Sequence, residues 1–359
     1  MEPHLYEKYS RQVLFAPLGL EGQERLMASS AVLIGCGALG ATVASLLVRA
    51  GIGRLRIIDR DFVEPSNLQR QTLFEESDAR EALPKAVAAE RRLRAANSSV
   101  TVDGVVADLT PANADKMLAG FPLMLDGTDN FETRFLVNDA SAKFGVPWIY
   151  AAAVASYGLT MTVLPGQSAC LACLLEASAT QNISVTHNNT VSDNNTVTRG
   201  MEETCDTVGV LNAIVGVIGS IQAAEAIKIL SGCEGALHGR LISCDVWSGR
   251  FQSIRVERNP DCRVCARREF AWLEGEQQPQ VTMCGRNSVQ IHERRKALDL
   301  GELGRRLAPA VAGVHANDFL LRFAVPPYEM TVFADGRAVI KGTRDPALAR
   351  SLYARYIGA

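Results

Sequence analysis

The sequence lacks most of the features that assign a protein quickly. No apolar run approaches the roughly 18 residues of a membrane span. The N-terminus, MEPHLYEKYSRQ, is charged where an export signal would be apolar. Neither export nor a membrane span is therefore expected, and the expected compartment is the cytoplasm. Charge of one sign is also missing: the net value is −2, so no global field favours nucleic acid or an anionic membrane, and any anion site must be local. No G-x-x-x-x-G-K-[ST] motif occurs, which excludes a P-loop enzyme. Histidine is scarce, and His4, His187, His238, His292 and His315 form no ligand pattern. A histidine metal centre or triad is unsupported, and no internal repeat is visible.

Cysteine is not scarce. Of nine cysteines, four form two C-x-x-C pairs, Cys170/Cys173 and Cys262/Cys265. Without an export signal, this reads as a metal site in a reducing compartment rather than a disulfide framework. Four thiolates suit a tetrahedral, structural Zn²⁺ with no open coordination position. Four unrelated buried cysteines, or a redox C-x-x-C, are the alternatives. Cys36, Cys233, Cys244 and Cys284 have no spacing partner and read as structural.

The 359 residues suffice for two or three domains. Residues 1–27 read as polar helix. Strands near 31–34, 54–59, 100–106, 122–126 and 148–153 alternate with helices near 41–50, 84–96 and 130–144. That alternation predicts an α/β fold with a doubly wound, Rossmann-like, mostly parallel sheet. A further strand at 157–164 leads to the first cysteine pair. Residues 177–203 are rich in Asn, Thr and Ser and read as a long mobile loop. An apolar helix at 208–230 and strands at 240–245 and 251–256 come next. Residues 1–276 form the first expected domain, which carries both cysteine pairs and the loop. Residues 277–359 read as a small α+β accessory domain with strands at 288–291, 319–325, 329–333 and 338–341 and helices at 298–307 and from 346.

Gly35-Cys-Gly37-Ala-Leu-Gly40 follows a strand and opens a helix, which brings backbone N–H groups to a helix N-terminus where phosphate binds well. Asp59 ends the next strand, 19 residues after Gly40, where a ribose-binding carboxylate sits. To this point a dehydrogenase would fit equally well. The residues downstream of Asp59 suit a dehydrogenase less: Asp61, Asn67-Leu-Gln-Arg70-Gln71, Lys85, and Asp126-Gly-Thr-Asp129-Asn130 with Arg134. Cations and carboxylates gathered by the same βα loops suit ATP, whose phosphates need positive charge and whose Mg²⁺ needs hard oxygen ligands.

Taken together, YSRQ (9–12), VLIGCGALG (32–40), IIDRDFVEPSNLQRQ (57–71), PK (84–85), DGTDN (126–130), GVIGSIQAAEAIKIL (216–230) and the two C-x-x-C pairs resemble the MoeB/ThiF family, bacterial relatives of ubiquitin-activating enzymes. The resemblance spans about residues 5–268. It implies that Asp59 holds ribose, Arg70 and Lys85 grip phosphate, Asp129 coordinates Mg²⁺ and Asn67 helps orient the α-phosphate. Arg11 resembles an arginine delivered to the partner subunit's site, which implies a homodimer. The implied reaction is ATP-dependent adenylation of the C-terminal carboxylate of a small ubiquitin-like sulfur carrier ending in Gly-Gly, ThiS-like or MoaD-like, with release of pyrophosphate. Cys205, before the long helix, matches the place where ThiF-like members can link to the carrier; an inert loop cysteine is the other reading. Two departures stand out: the segment between Cys173 and Cys205 is longer than usual, and Asn212-Ala213 replaces a frequent Gly-Pro. No rhodanese signature is apparent. The competing readings are a non-enzymatic or NAD-binding Rossmann module, or adenylation of a short peptide.

Overall fold

The computed structural model describes residues 2–180, 208–276, 282–283, 287–291 and 298–358. Cys205, Cys284 and most of the expected loop at 177–203 lie outside the described residues. The chain divides into two units, Met1–Gln277 and Gln278–Ala359.

The first unit opens with helices α1 (Pro3–Val13) and α2 (Gly19–Ala28). It continues through β1 (Ser30–Ile34), α3 (Ala38–Ala50), β2 (Arg54–Asp59), α4 (Glu76–Arg80), α5 (Lys85–Ala96), β3 (Thr101–Val106) and α6 (Pro111–Leu118). Then come β4 (Met124–Asp126), α7 (Phe131–Phe144), β5 (Trp148–Val154), β6 (Tyr157–Val163), α8 (Leu171–Thr180), α9 (Asn212–Leu230), β7 (Leu241–Asp245) and β8 (Arg250–Ile254). The sheet order is β3-β2-β1-β4-β5-β6-β7-β8. The first five strands run parallel, and β6, β7 and β8 continue antiparallel.

Side chains two apart share a face, and the sequence obeys this strictly. Ala31 and Leu33 of β1 pack with Leu47 of α3, Leu93 of α5 and Ala226 of α9. Val32 and Ile34 pack on the other face with Leu118 of α6, Val137 of α7 and Leu174 of α8. The sheet is therefore buried on both sides, as parallel strands require. Its order reverses between β1 and β4, which opens a crevice at the carboxyl ends of those strands.

Several boundaries differ from the sequence reading. Residues 177–180 belong to α8 rather than to a loop. The helix expected from 208 begins at Asn212, because Gly209 turns with φ +80° and Val210 bridges to Ala155. Helix α9 is long and apolar enough to span a bilayer by length and composition, with half of that window buried. It instead packs on the sheet, where its Gln222 donates to the carbonyls of Asp126 and Ile149 and its Glu225 accepts from Thr162.

The second unit is a six-stranded sheet in the order β11-β12-β13-β14-β10-β9. Its strands are β9 (Thr282–Met283), β10 (Ser288–Ile291), β11 (Ala312–Ala316), β12 (Leu320–Val325), β13 (Tyr328–Phe333) and β14 (Ala338–Lys341). Helices α10 (Leu300–Leu307) and α11 (Pro346–Tyr356) bury Leu303, Leu307, Leu352 and Tyr353 against Phe323, Met330, Val332 and Ile340.

Candidate nucleotide and metal sites

The glycine loop closes on itself by direct backbone contact. Gly35 has φ +84°, and a Cβ on Gly40 would lie 2.1 Å from the Gly35 carbonyl oxygen. Gly127, after β4, is locked the same way: its Cβ would meet that oxygen at 2.2 Å. Gly37 differs. A Cβ there would find only the Gly127 carbonyl at 3.8 Å and the Gln71 amide at 3.9 Å, both ordinary contacts. Gly35 and Gly40 are therefore glycines because the fold demands them. Gly37 leaves open a cradle at the N-terminus of α3 that any side chain would fill.

Asp59 lies against the glycine loop, Lys85 pairs with Asp61, and Asp129 is within electrostatic reach of Lys85. The Asp59 carboxylate accepts the Cys36 N–H at 2.6 Å and the Asp61 N–H at 2.7 Å, which fixes it beside the glycine loop. Burial pushes its pKa up, and Lys85 pulls it back. Pro84 ends its strand-like approach by capping α5, so Lys85 is the first residue of that helix. The Lys85 N–H bonds to the Asp61 carbonyl, and its Nζ lies 3.4 Å from the Asp61 carboxylate. Burial alone would discharge Lys85, but Asp61, Asp59 and Asp129 outweigh it, and its pKa is raised. These neighbours favour the charged ammonium.

Asn67, Arg70 and Gln71 come from the turn after β2. The Asn67 Oδ1 accepts the Glu64 N–H and caps a 3₁₀ turn. Half-buried Arg70 donates to the Ser66 carbonyl. Gln71 is 3% exposed, and its Oε1 is buried with no hydrogen-bond partner. The Nε2 of the same amide is the atom nearest Gly37 from this turn, so the Gln71 side chain, with an unsatisfied oxygen, borders the glycine loop. The sequence reading quoted Gln71 within its motif but gave it no role; adjacency to Arg70 was the available signal.

Asp129 is exposed at the mouth of the same crevice. Arg134 is placed differently from the sequence reading, which grouped it with the phosphate-binding cations. It is buried, pairs with Asp126 at 3.2 Å and donates to the carbonyls of Thr128 and Ala151. It is committed to the protein. Arg11 is not brought to this chain's site at all. The Gln12 side chain of α1 binds the carbonyl of Ala50, the last residue of α3. The 13 residues of α3, roughly 20 Å, separate that end from the glycine loop. Arg11 itself is exposed.

The four cysteines do converge. Cys170 Sγ lies 3.8 Å from Cys173 Sγ and 3.7 Å from Cys262 Sγ, and Cys173 Sγ lies 3.5 Å from Cys265 Sγ. All four sulfurs fall within 4.8 Å of one another. A tetrahedron with Zn–S bonds of ~2.3 Å has edges of about 3.8 Å, so the cluster fits zinc. Hydrogen bonding with Cys170 draws Cys173 and Cys262 down to about 7 and Cys265 to about 6, while Cys170 is raised. Asn138 of α7 orients the first pair by accepting the Leu171 N–H.

Comparison with known proteins gives a consistent picture. The profile of the ThiF family matches residues 9–264. The chain is 42% identical over 357 residues to the sulfur carrier protein ThiS adenylyltransferase of Bacillus subtilis, covering 98% of this chain and 99% of that protein. It is 36% identical over 264 residues to the sulfur carrier protein adenylyltransferase of Thermus thermophilus, covering 72% and 90% respectively. The crystal structure of E. coli MccB with ATP shares the fold, with a TM-score of 0.59, 22% identity, and coverage of 72% of this chain and 74% of that one. The chain belongs to the ThiF family.

Proposed function

We propose that this protein is an adenylyltransferase that uses ATP to activate the C-terminal carboxylate of a ThiS-like sulfur carrier. The observation that carries this reading is the buried Lys85, whose Nζ lies 3.4 Å from the Asp61 carboxylate, next to the glycine loop on which Asp59 is fixed. A nicotinamide site has no use for such an ammonium, whereas a triphosphate does. In this reading Asp59 binds ribose, the α3 N-terminus and Lys85 bind phosphate, and Asn67 and Arg70 flank the α-phosphate. Asp129 would hold Mg²⁺, which neutralises phosphate charge when bound. A carrier carboxylate oxygen attacks the α-phosphorus, the bond to the β-phosphate oxygen breaks, and pyrophosphate leaves. The protein aligns the two reactants and stabilises growing negative charge.

Two features support a protein substrate of the ThiS type. The match to the ThiS adenylyltransferase runs through the second unit, whereas the Thermus relative covers 72% of the chain. At the site end of the sheet, the turn between β7 and β8 exposes Trp247 by 82%, and edge strand β8 exposes Phe251. An open edge with aromatic anchors suits pairing with a carrier strand. The four-cysteine cluster is assigned to structural zinc, the assembly to a homodimer and the compartment to the cytoplasm. The test is carrier-dependent exchange of labelled pyrophosphate into ATP. Rapid exchange with a ThiS-like protein is expected, with none when its terminal glycine is removed. Absence of exchange with every Gly-Gly-ended carrier would sink the proposal.

A further inference from the structure

The β4–β5 ladder stops early. Only Met124↔Trp148 and Leu125↔Ile149 pair, yet the chain beyond carries Gly127, which touches the glycine loop, and Asp129. Side chains from both faces of the sheet replace the missing backbone bonds. From α9, the fully buried Gln222 donates to the carbonyls of Asp126 and Ile149, each at 2.9 Å. From α7, Arg134 bonds the Asp126 carboxylate at 3.2 Å, the Thr128 carbonyl at 2.7 Å and the Ala151 carbonyl at 3.1 Å. The Thr128 N–H and hydroxyl both return to Asp126.

From this geometry we infer that Gln222 and Arg134 are positioning residues, which set Asp129 against the glycine loop for metal–nucleotide binding. The inference rests on the proposed role of Asp129 and deepens it. Two strands joined by a full ladder would have no gap at this edge. Two strands left unpinned would let residues 127–130 drift, and displacement of a ligating carboxylate by about 1 Å costs on the order of 100-fold in rate. Pins from opposite faces hold the fork open at one width. Gln222 serves a carbonyl of each strand, and Arg134 ties the Ala151 carbonyl of β5 to the Asp126 carboxylate and to the Thr128 carbonyl just beyond β4, which a side chain that merely filled space would not need to do.

The experiment measures Mg²⁺-dependent ATP binding by calorimetry, and pyrophosphate exchange as Mg²⁺ is varied, in the full chain for Gln222→Met, Arg134→Lys and Asp129→Ala, with melting temperature and bound zinc as checks on folding. For Gln222→Met and Arg134→Lys the half-saturating Mg²⁺ should rise by about 5- to 50-fold, with partial rescue at high Mg²⁺. Asp129→Ala should be inactive at every Mg²⁺ concentration. Half-saturation within twofold of the parent in both brace variants, with any lost rate tracking lost folded protein, would overturn the inference while leaving the Asp129 assignment intact. A fully active Asp129→Ala would instead overturn that assignment, and the positioning role with it. If Gln222→Met does not fold, Arg134→Lys and Gln222→Glu decide by the same measure.

Discussion

At the scale of single residues, the glycines separate fold from function. Gly40 meets the Gly35 carbonyl so closely that an added methyl forces the backbone apart, whereas a methyl on Gly37 meets only ordinary contacts. Gly40→Ala should therefore lose roughly 2–4 kcal/mol of stability, seen as a lower melting temperature. Gly37→Ala should melt close to the parent yet raise the KM for ATP by about tenfold or more, because it fills the cradle that phosphate would occupy. Equal melting losses in the two variants would show that Gly37 serves the fold alone. The G-x-G-x-x-G motif revealed that glycines were needed, but nothing in it distinguishes these two reasons. The Gly40 constraint lies inside the motif, at the Gly35 carbonyl, whereas the neighbours of Gly37, Gln71 and Gly127, come from 34 and 90 residues further along the chain. Lys85 and Asp59 were legible because they sit at fixed places on βα connections. The fate of Arg134 was not, because its partners Asp126, Thr128 and Ala151 come together only when the sheet forms.

At the scale of elements, periodic segments were read well, and elements defined by caps or bulges were missed. Helix α6 begins at a capping box in which the Thr110 N–H bonds the Asn113 side chain, with Pro111 at its first position. That signature was present in the sequence but carries little apolar periodicity. Strand β11 is exposed along its length, and its register shifts between Ala312 and His315, which hides the alternation. The cysteine pairs were legible because C-x-x-C fixes ligand geometry locally. Removing zinc with a chelator should lower the melting temperature by on the order of 10 °C, and re-addition should restore it. Helix α7 meets the segment after the second cysteine pair at Asp139, which accepts the N–H groups of Trp272 and Leu273. Burial, opposed by those N–H groups, raises the Asp139 pKa from 3.8 to about 6. A raised carboxyl pKa stabilises the folded state fully below the unfolded value and loses that contribution as pH rises through about 6. Asp139→Asn keeps an acceptor without the charge. It should melt a few degrees above the parent at pH 8, with the gap closing toward pH 4. A gap that does not change with pH would show that the charge is not the cause.

At the scale of the whole molecule, the position of Arg11 makes a demand on assembly. The N-terminal helix is tied to the far end of α3 by Gln12 and by Tyr9, whose ring a Cβ on Gly51 would strike at 2.5 Å. Arg11 therefore cannot reach the glycine loop of its own chain without dismantling that packing. Around it, Tyr6, Leu14, Phe15 and Leu20 are exposed, an apolar group of the kind an interface covers. If a two-fold dimer delivers Arg11 to the second subunit's nucleotide, two inactive variants should rescue one another. Arg11→Ala and Lys85→Met homodimers, each inactive in pyrophosphate exchange, are mixed under conditions that exchange subunits. Half of the dimers become hybrids, and in each hybrid one site has an intact Lys85 facing an intact Arg11. Exchange activity should recover to about a quarter of the parent value. If Arg11 acts within its own chain, the hybrid restores no site and the mixture stays inactive. If Arg11 has no part in the reaction, Arg11→Ala is active before any mixing. The three results are mutually exclusive, so a single mixing series decides whether the active unit is one chain or two.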